Sequence, residues 1–473
     1  MTDFSKRLFQ NVDGASLAVV RILFGVVMFA WSISYLVLNK VHAYYVEPAF
    51  HFKYEGFAWV SVAPEWCMTA IFLLMSGLAI LITIGWFYRI SASGFALLFL
   101  YVFLIDKTTY QNHYYFVCLM SVLMALTPAN STYSVDAFLG RTALRHRAPQ
   151  WSLWLLRFQV GVVYFFGGVA KISPDWLRGF PMREMLAQHR TDFLLGRFAQ
   201  QEGAVQLIVW GGLFFDLLIV PCLLWKRTRK FAFCLVVIFH ATNSVLFPIG
   251  IFPWIMIALT TIFLEPNWPR QFRVGKGIVE PPDISVIRAA PWRRTALLTL
   301  LAIWCVVQVT LPLRHWLYPG NVNWTERGHY FAWHMMLRGK TSAIRFHIYD
   351  AVTGRHGVFP LQNELNSYQL ARMSRDPQLI RAFSQQIERK CRAHGFADVE
   401  VRAFVLCSLN GRRPQLLISP NVDLTSGDLD RRTDWILPLA EPLPNKSWNQ
   451  PIATWEQLVM ADPLNQLMSP QSK

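Results

Sequence analysis

Nine apolar runs, near residues 16–38, 67–87, 90–106, 113–128, 152–171, 205–225, 229–247, 251–265 and 294–313, govern what this chain can become. A bilayer core is crossed by about 20 mostly apolar residues in helical form, because backbone N–H and C=O groups in lipid must pair within their own segment. The third, fourth and eighth runs are short and suit tilted or re-entrant helices as well as full crossings. Composition agrees: 53% of the 473 residues are hydrophobic and 16% are charged, against roughly a quarter charged in an ordinary soluble domain. The expected fold is an all-α polytopic membrane bundle of about nine transmembrane helices over residues 1–315. Lys6 and Arg7 precede the first run as basic residues precede a secretory signal. The run is too long for a signal core and no small-residue cleavage site follows, so it reads as a retained anchor.

A net charge of +16 would suit a nucleic-acid partner, but its placement argues against one. Arg141, Arg145 and Arg147 lie between runs four and five; Lys226, Arg227, Arg229 and Lys230 lie between six and seven. Arg270, Arg273, Lys276, Arg293 and Arg294 lie between eight and nine. These are alternate loops, the pattern of cytoplasmic segments in a membrane protein. With the N-terminus inside and nine crossings, everything after about Leu313 lies outside. Cys391 and Cys407 fall in that outer part, where the compartment permits a disulfide that their spacing does not show. No Cys-x-x-Cys pair suggests a metal site.

Residues 321–473 change to a polar texture and predict a small extracytoplasmic α+β domain with a C-terminal tail. Ala343 to Tyr349 alternates at period two and reads as a strand. Asn363 to His394 fits a polar amphipathic helix. Val399 to Leu406, then Asn410-Gly411, then Pro414 to Ile418 reads as a hairpin, because Asn-Gly supplies the positive backbone angles of a tight turn. The tail beyond about Asn445 reads as a loose helix. On the outer side, loops 39–66 and 172–204 suit either lids or plain connectors.

Ionisable groups in membrane spans are costly and are functional candidates when they cannot reach water. Asn112 and His113 open the fourth run, Lys171 ends the fifth, and His240 and Asn243 approach the outer end of the seventh. Taken singly, a histidine there is usually hydrogen-bonded structure and a lysine a snorkelling anchor. Their common depth, beside Gly167 and Gly168 that let helices approach closely, predicts a shared polar pocket. Burial disfavours an ammonium ion, so such a pocket suits Lys171 as a base. His113 would orient or stabilise an anion next to it. A hydrophobic molecule with ionisable hydroxyls, such as a quinol, would enter from the lipid. His-Glu-x-x-His, P-loop, Gly-x-Gly-x-x-Gly and Gly-x-Ser-x-Gly signatures are missing, which lowers zinc, nucleotide and serine-hydrolase chemistry. Arg157, about 21 Å along the helix from Lys171, reads as an inner-surface anchor or internal ion pair.

At these segments the chain resembles the vitamin K-dependent gamma-glutamyl carboxylase family of HTTM-domain membrane proteins. The likeness runs through Tyr101 to His113, Ser134-Val-Asp136, Val163-Tyr-Phe, Gly168-Val, Lys171, Asp175-Trp176 and Gly179. It continues through Phe239-His240, Asn243-Ser244, Leu246-Phe247, Glu265 and Trp268-Pro-Arg270, then Asn323-Trp-Thr325 and Trp333 with Met335-Met336. It covers about 15–340 closely and 341–440 loosely. The resemblance implies that Lys171 deprotonates vitamin K hydroquinone, or menaquinol, which reacts with O2. The oxygenated species then removes a gamma proton from a peptide glutamate, and CO2 captures the carbanion. It aligns His113 and Asn112 with residues assisting this step and His240 with another family histidine; Asn243 joins the expected cofactor-binding set. Two departures stand out: Ala170-Lys171 replaces the two adjacent lysines of animal members, and Val358 stands where the family shows a tyrosine. The chain also ends where animal members continue into a large lumenal domain, so the expectation is a bacterial-type homologue of the inner membrane with its site on the periplasmic or outer side. A quinol epoxidase lacking peptide carboxylation and a non-enzymatic binding or transport protein are the alternatives.

Overall fold

The computed structural model describes residues 3–144, 146–187, 201–272, 290–350, 352–430 and 432–460. Arg145, Arg273, Lys276, part of loop 172–204 and the end of the predicted tail lie outside the described residues. Each of the nine apolar runs contains a helix: α1 (Ala15–Val37), α2 (Glu65–Ile84), α3 (Tyr88–Ile105), α4 (Asn112–Leu126), α5 (Gln150–Ala170), α6 (Glu202–Leu224), α7 (Arg229–Leu246), α8 (Phe252–Thr260) and α9 (Pro291–Leu313). Among the described residues seven helices are long and apolar enough to cross a membrane, whereas α4 and the segment Phe252–Phe263 that contains α8 are shorter.

Contacts at one end of the bundle fix the path of the short helices. Strands β1 (Asn11–Asp13) and β2 (Arg147–Pro149) pair antiparallel, Asn11 opposite Pro149, and bring the starts of α1 and α5 to one face, termed lower. Asp13 accepts a hydrogen bond from Arg270 Nε at 2.6 Å, and Ser16 N donates to Pro266 O at 3.0 Å, so the chain after α8 returns to this face. Arg21 is fully buried here and donates to the carbonyls of Ala129, Ile82, Thr83 and Tyr133 at 2.5–3.0 Å. Four carbonyls satisfy the guanidinium, with no carboxylate hydrogen-bonded to it among the described residues. They also join the end of α2 to the turn after α4, so α4 and α8 each carry the chain from the upper face to the lower one. Arg157 is likewise satisfied by backbone, donating to Ile262 O at 2.9 Å. α5, with 21 residues, spans about 30 Å and delivers Lys171 to the upper face.

Above that face sits a four-stranded antiparallel sheet in the order β4-β3-β5-β6, built from β3 (Lys340–Asp350), β4 (His356–Val358), β5 (Val399–Leu409) and β6 (Gln415–Leu416). β3 pairs with β5 along its length, Lys340 opposite Leu409 and Asp350 opposite Val399. Asn410 and Gly411 take positive φ values of 51° and 71°, as the predicted turn requires, but β6 is shorter than the predicted Pro414–Ile418 strand. The predicted helix 363–394 is two helices, α10 (Ser367–Met373) and α11 (Pro377–Ala393). Pro377 disfavours helical backbone at Asp376, whose side chain instead caps the second helix by accepting from Gln378 N at 2.9 Å. α11 carries its apolar stripe onto the sheet, where Phe346, Phe383, Ile387 and Val401 form a core. Cys391 and Cys407 are free thiols, so the permitted disulfide is not formed.

Loop 39–66 is a connector rather than a lid. Phe50 and Phe52 leave the bundle to pack 5.9 and 6.2 Å from the Phe383 ring. Gln369 Nε2 bridges Phe50 O and Asp106 Oδ2, both at 2.8 Å, and fastens α10 to the end of α3.

Candidate functional site

Between the upper ends of the helices and the sheet lies a cavity of about 550 Å³, and Asn112, His113, Lys171, His240 and Asn243 all line it. The fold brings them together from three helices. Asn112 and His113 open α4, Lys171 caps the C-terminus of α5, and His240 and Asn243 lie one turn apart on α7.

Lys171 Nζ donates to Asp216 Oδ2 at 2.5 Å and to Gly167 O at 3.2 Å, and stands 5.2 Å from the centre of the Trp176 ring. Both members of the pair are buried. In a low dielectric an ammonium–carboxylate couple and its neutral amine–carboxylic acid form carry the same net charge, so a proton can reside on either partner without charging the cavity. The close approach depends on glycine. A Cβ at Gly167 would meet Met335 Cε at 2.9 Å and Asp216 Oδ2 at 3.3 Å, and one at Gly168 would meet Leu217 Cδ2 at 2.7 Å. Sequence reasoning missed Asp216, although an acidic residue inside the apolar run of α6 is itself a signal of function.

His240 Nε2 shares a hydrogen bond with the Tyr164 hydroxyl at 2.9 Å, and that hydroxyl also lies 3.3 Å from Thr260 Oγ1. His240 Nδ1 is buried without a partner among the described residues. His113 has no hydrogen-bonded protein partner among them; its ring stands edge-on to Tyr114 at 4.5 Å and lies 5.9 Å from Phe252. Asn112 is held on both sides, accepting from Tyr110 OH at 3.0 Å and donating to His334 O at 2.9 Å.

That second bond reaches the segment 326–336, which roofs the cavity and which the sequence did not signal as part of the site. Glu326, Phe331, Trp333 and Met336 adopt φ values of 58–63°. A side chain in this left-handed region costs about 1–3 kcal/mol per residue unless its surroundings enforce it. Here Tyr110 OH accepts from Phe331 N at 2.7 Å and Tyr330 OH donates to Asp376 Oδ2 at 2.8 Å. Lys107 from the turn after α3, Arg338 just beyond the roof, Arg372 in α10 and Arg375 just after it also join the lining, against Glu326 and Asp376. Glu326 is already engaged by Arg338 at 2.9 Å and Lys340 at 3.2 Å. Burial, then the nearby Arg372 and Arg338, push the Arg375 guanidinium down to about 10, so this wall carries positive potential that an anion would relieve. Val358 lies exposed on the edge strand β4, outside the cavity lining. From loop 172–204, Trp176, Met182 and Met185 form part of the wall.

Residues 9–268 match the family model of the HTTM domain, and residues 293–442 match that of the vitamin K-dependent gamma-carboxylase, lumenal domain. The first match contains Asn112, His113, Lys171, Asp216, His240 and Asn243; the second contains the roof, the sheet and Arg338, Arg372 and Arg375. No solved structure matches the chain.

Proposed function

The chain belongs to the vitamin K-dependent gamma-carboxylase family, and from that membership we propose that it is a naphthoquinol-dependent gamma-glutamyl carboxylase, coupling quinol epoxidation by O2 to carboxylation of peptide glutamate by CO2. One observation carries the reading: the buried Lys171–Asp216 pair lines the same cavity as His113, Asn112, His240 and Asn243, beneath a wall of lysine and arginine. The cavity suits a flat aromatic diol, with Trp176, Phe239, Phe252 and Met256 as apolar walls and His240 Nδ1 left without a partner.

When bound, the reduced naphthoquinone would supply, with O2, the driving force for removing an otherwise unreactive glutamyl proton. The chain's own residues have narrower tasks. Lys171 Nζ takes a hydroxyl proton, and Asp216 Oδ2 shares it, so the charge of the couple changes by one unit. His113, with no hydrogen-bonded partner for its ring among the described residues, faces the oxygen that becomes anionic. Asn112 fixes the roof through His334 O, and His240 and Asn243 hold the ring oxygens. Arg338, Arg372 and Arg375 bind the substrate carboxylate, which their planar donor sets suit. The roof and helices exclude water from the proton-bearing atoms.

The proposal extends to placement: nine passes, with the upper face on the periplasmic side of a bacterial inner membrane. Arg141 lies in the connection between α4 and α5, and Arg229, Arg293 and Arg294 lie in the first turns of α7 and α9, all at the opposite end, the arrangement expected of a cytoplasmic face. The test supplies vitamin K hydroquinone, labelled bicarbonate and a glutamate-containing peptide. Wild-type protein is expected to label the peptide, and Lys171→Ala at equal expression is not. Epoxide without peptide label would reduce the function to a quinol epoxidase, and no quinol oxidation would overturn the reading.

A further inference from the structure

A second cavity of about 540 Å³ lies between the upper ends of α5 and α9, against the outer side of the roof. Its floor and mouth are apolar, formed by Phe166, Val169, Leu313 and Trp316. Ile172 and Trp316, on its rim, are 60% and 67% exposed, on the surface that spanning helices turn toward lipid. Trp316 and Tyr318 give it the aromatic border characteristic of the headgroup level.

Its inner end is polar and incompletely satisfied. His334 and Asn323 are each 6% exposed. Neither ring nitrogen of His334 and not the Oδ1 of Asn323 has a partner among the described residues. Buried polar atoms in native folds are nearly always paired, so three orphans at one end of a cavity point to a group that enters it. The charge there is already spent: Asp175 is held by Arg412 at 2.7 and 2.8 Å. The nearest other imidazole, His315, has its Nδ1 on Pro312 O at 2.7 Å. Burial first, then His315 and Arg338, hold the His334 imidazole down to about 3, hence neutral. The missing partner is therefore uncharged and must both donate and accept, which is the chemistry of a hydroxyl. Volume and lining fit a small polar head with an apolar chain.

We propose that this second cavity is a waiting site for the hydroxylated head of a prenylated quinol arriving from the bilayer, with Asn323 and His334 binding the head and the α5–α9 cleft holding the chain. His334 also lines the cavity of Lys171, so the head is passed along a side chain common to both walls. The inference rests on the quinol reading above but has its own readout.

The test uses the full chain in nanodiscs with a diazirine-bearing prenylated naphthohydroquinone, followed by peptide mapping. Label is expected on segments 166–175 and 312–323. Val169→Trp fills the second cavity without touching the first, and Asn323→Leu removes an orphan acceptor at similar volume. Each is expected to lower this label about fivefold to tenfold, the scale of one lost contact or hydrogen bond. Val169→Trp should raise KM for the long-chain quinol by a similar factor, leaving kcat, and KM for a chainless naphthohydroquinone, unchanged. No label in these segments, label unchanged in both variants, or equal label from a diazirine diacylglycerol or phosphatidylglycerol overturns the proposal. Label without any turnover would refute the carboxylase reading and leave the waiting site standing; turnover without label would do the reverse.

Discussion

Lys171 Nζ and Asp216 Oδ2 stand 2.5 Å apart at the junction of α5 and α6, each shielded from water, with paired glycines making the approach possible. A lone buried amine would be a base with nowhere to share its proton, and a lone buried carboxylate would be an uncompensated charge. Together they form a neutral couple that can accept one proton at the edge of an apolar cavity. The expected consequences follow from treating the two as a unit.

Asp216→Asn removes the acceptor and leaves the lysine alone. Breaking a buried ion pair by removing one partner costs about 3–5 kcal/mol if the remaining charge persists. Lower thermal stability in detergent is expected, with quinol turnover reduced by about 100-fold or more. Asp216→Glu, which keeps the charge, should retain part of both. Full epoxide formation by Asp216→Asn would exclude a proton-holding role.

Lys171→Arg separates charge from basicity. The guanidinium keeps its proton at any ordinary pH and can still pair with Asp216. Folding yield should match wild type while turnover falls by roughly 10²–10⁴-fold, the scale of a lost general base. Quinol oxidation by this variant at the wild-type rate would reduce Lys171 to an electrostatic support.

Tyr164→Phe tests a second polar contact in the bundle. Its hydroxyl sits between His240 Nε2 and Thr260 Oγ1, and its loss leaves both ring nitrogens of His240 without a hydrogen-bonded partner among the described residues. Leaving a buried polar group unsatisfied costs about 1–3 kcal/mol, so a lower unfolding temperature is expected. Because the tyrosine acts through His240, quinol KM should rise more than kcat falls. A variant with unchanged stability would show that water or ligand already satisfies the imidazole.

Much of this arrangement was legible because membrane segments expose their exceptions. Asn112, His113, Lys171, His240 and Asn243 stand out near the upper ends of apolar runs, and helical rise alone gives them similar depth. Asp216 was equally visible as a charge inside a run, but reading only run ends passes over a residue within α6. The roof was not legible: nothing about Phe331, Trp333 or Met336 demands left-handed backbone, which tertiary bonds to Tyr110 and Asn112 support. The single long helix expected over 363–394 followed its amphipathic pattern and passed over Pro377, where the fold breaks it in two.

Acid lability should trace to the roof. His334 is held at about 3, against an ordinary 6.5, by burial first and then by His315 and Arg338. Its unfolded state therefore binds a proton between these values while the folded state does not. Stability is fully present above about 6.5 and declines as pH falls toward 3, by about 1.4 kcal/mol per pH unit. By pH 5 the loss from this side chain reaches about 2 kcal/mol. His329, also held low by burial first and then by Arg338, contributes with the same sign. The measurement is unfolding temperature against pH for wild type and His334→Gln, which cannot titrate but retains a donor and an acceptor. The variant's curve should be flatter between pH 6.5 and 5; parallel curves would mean that His334 is protonated, or solvated, in the folded protein.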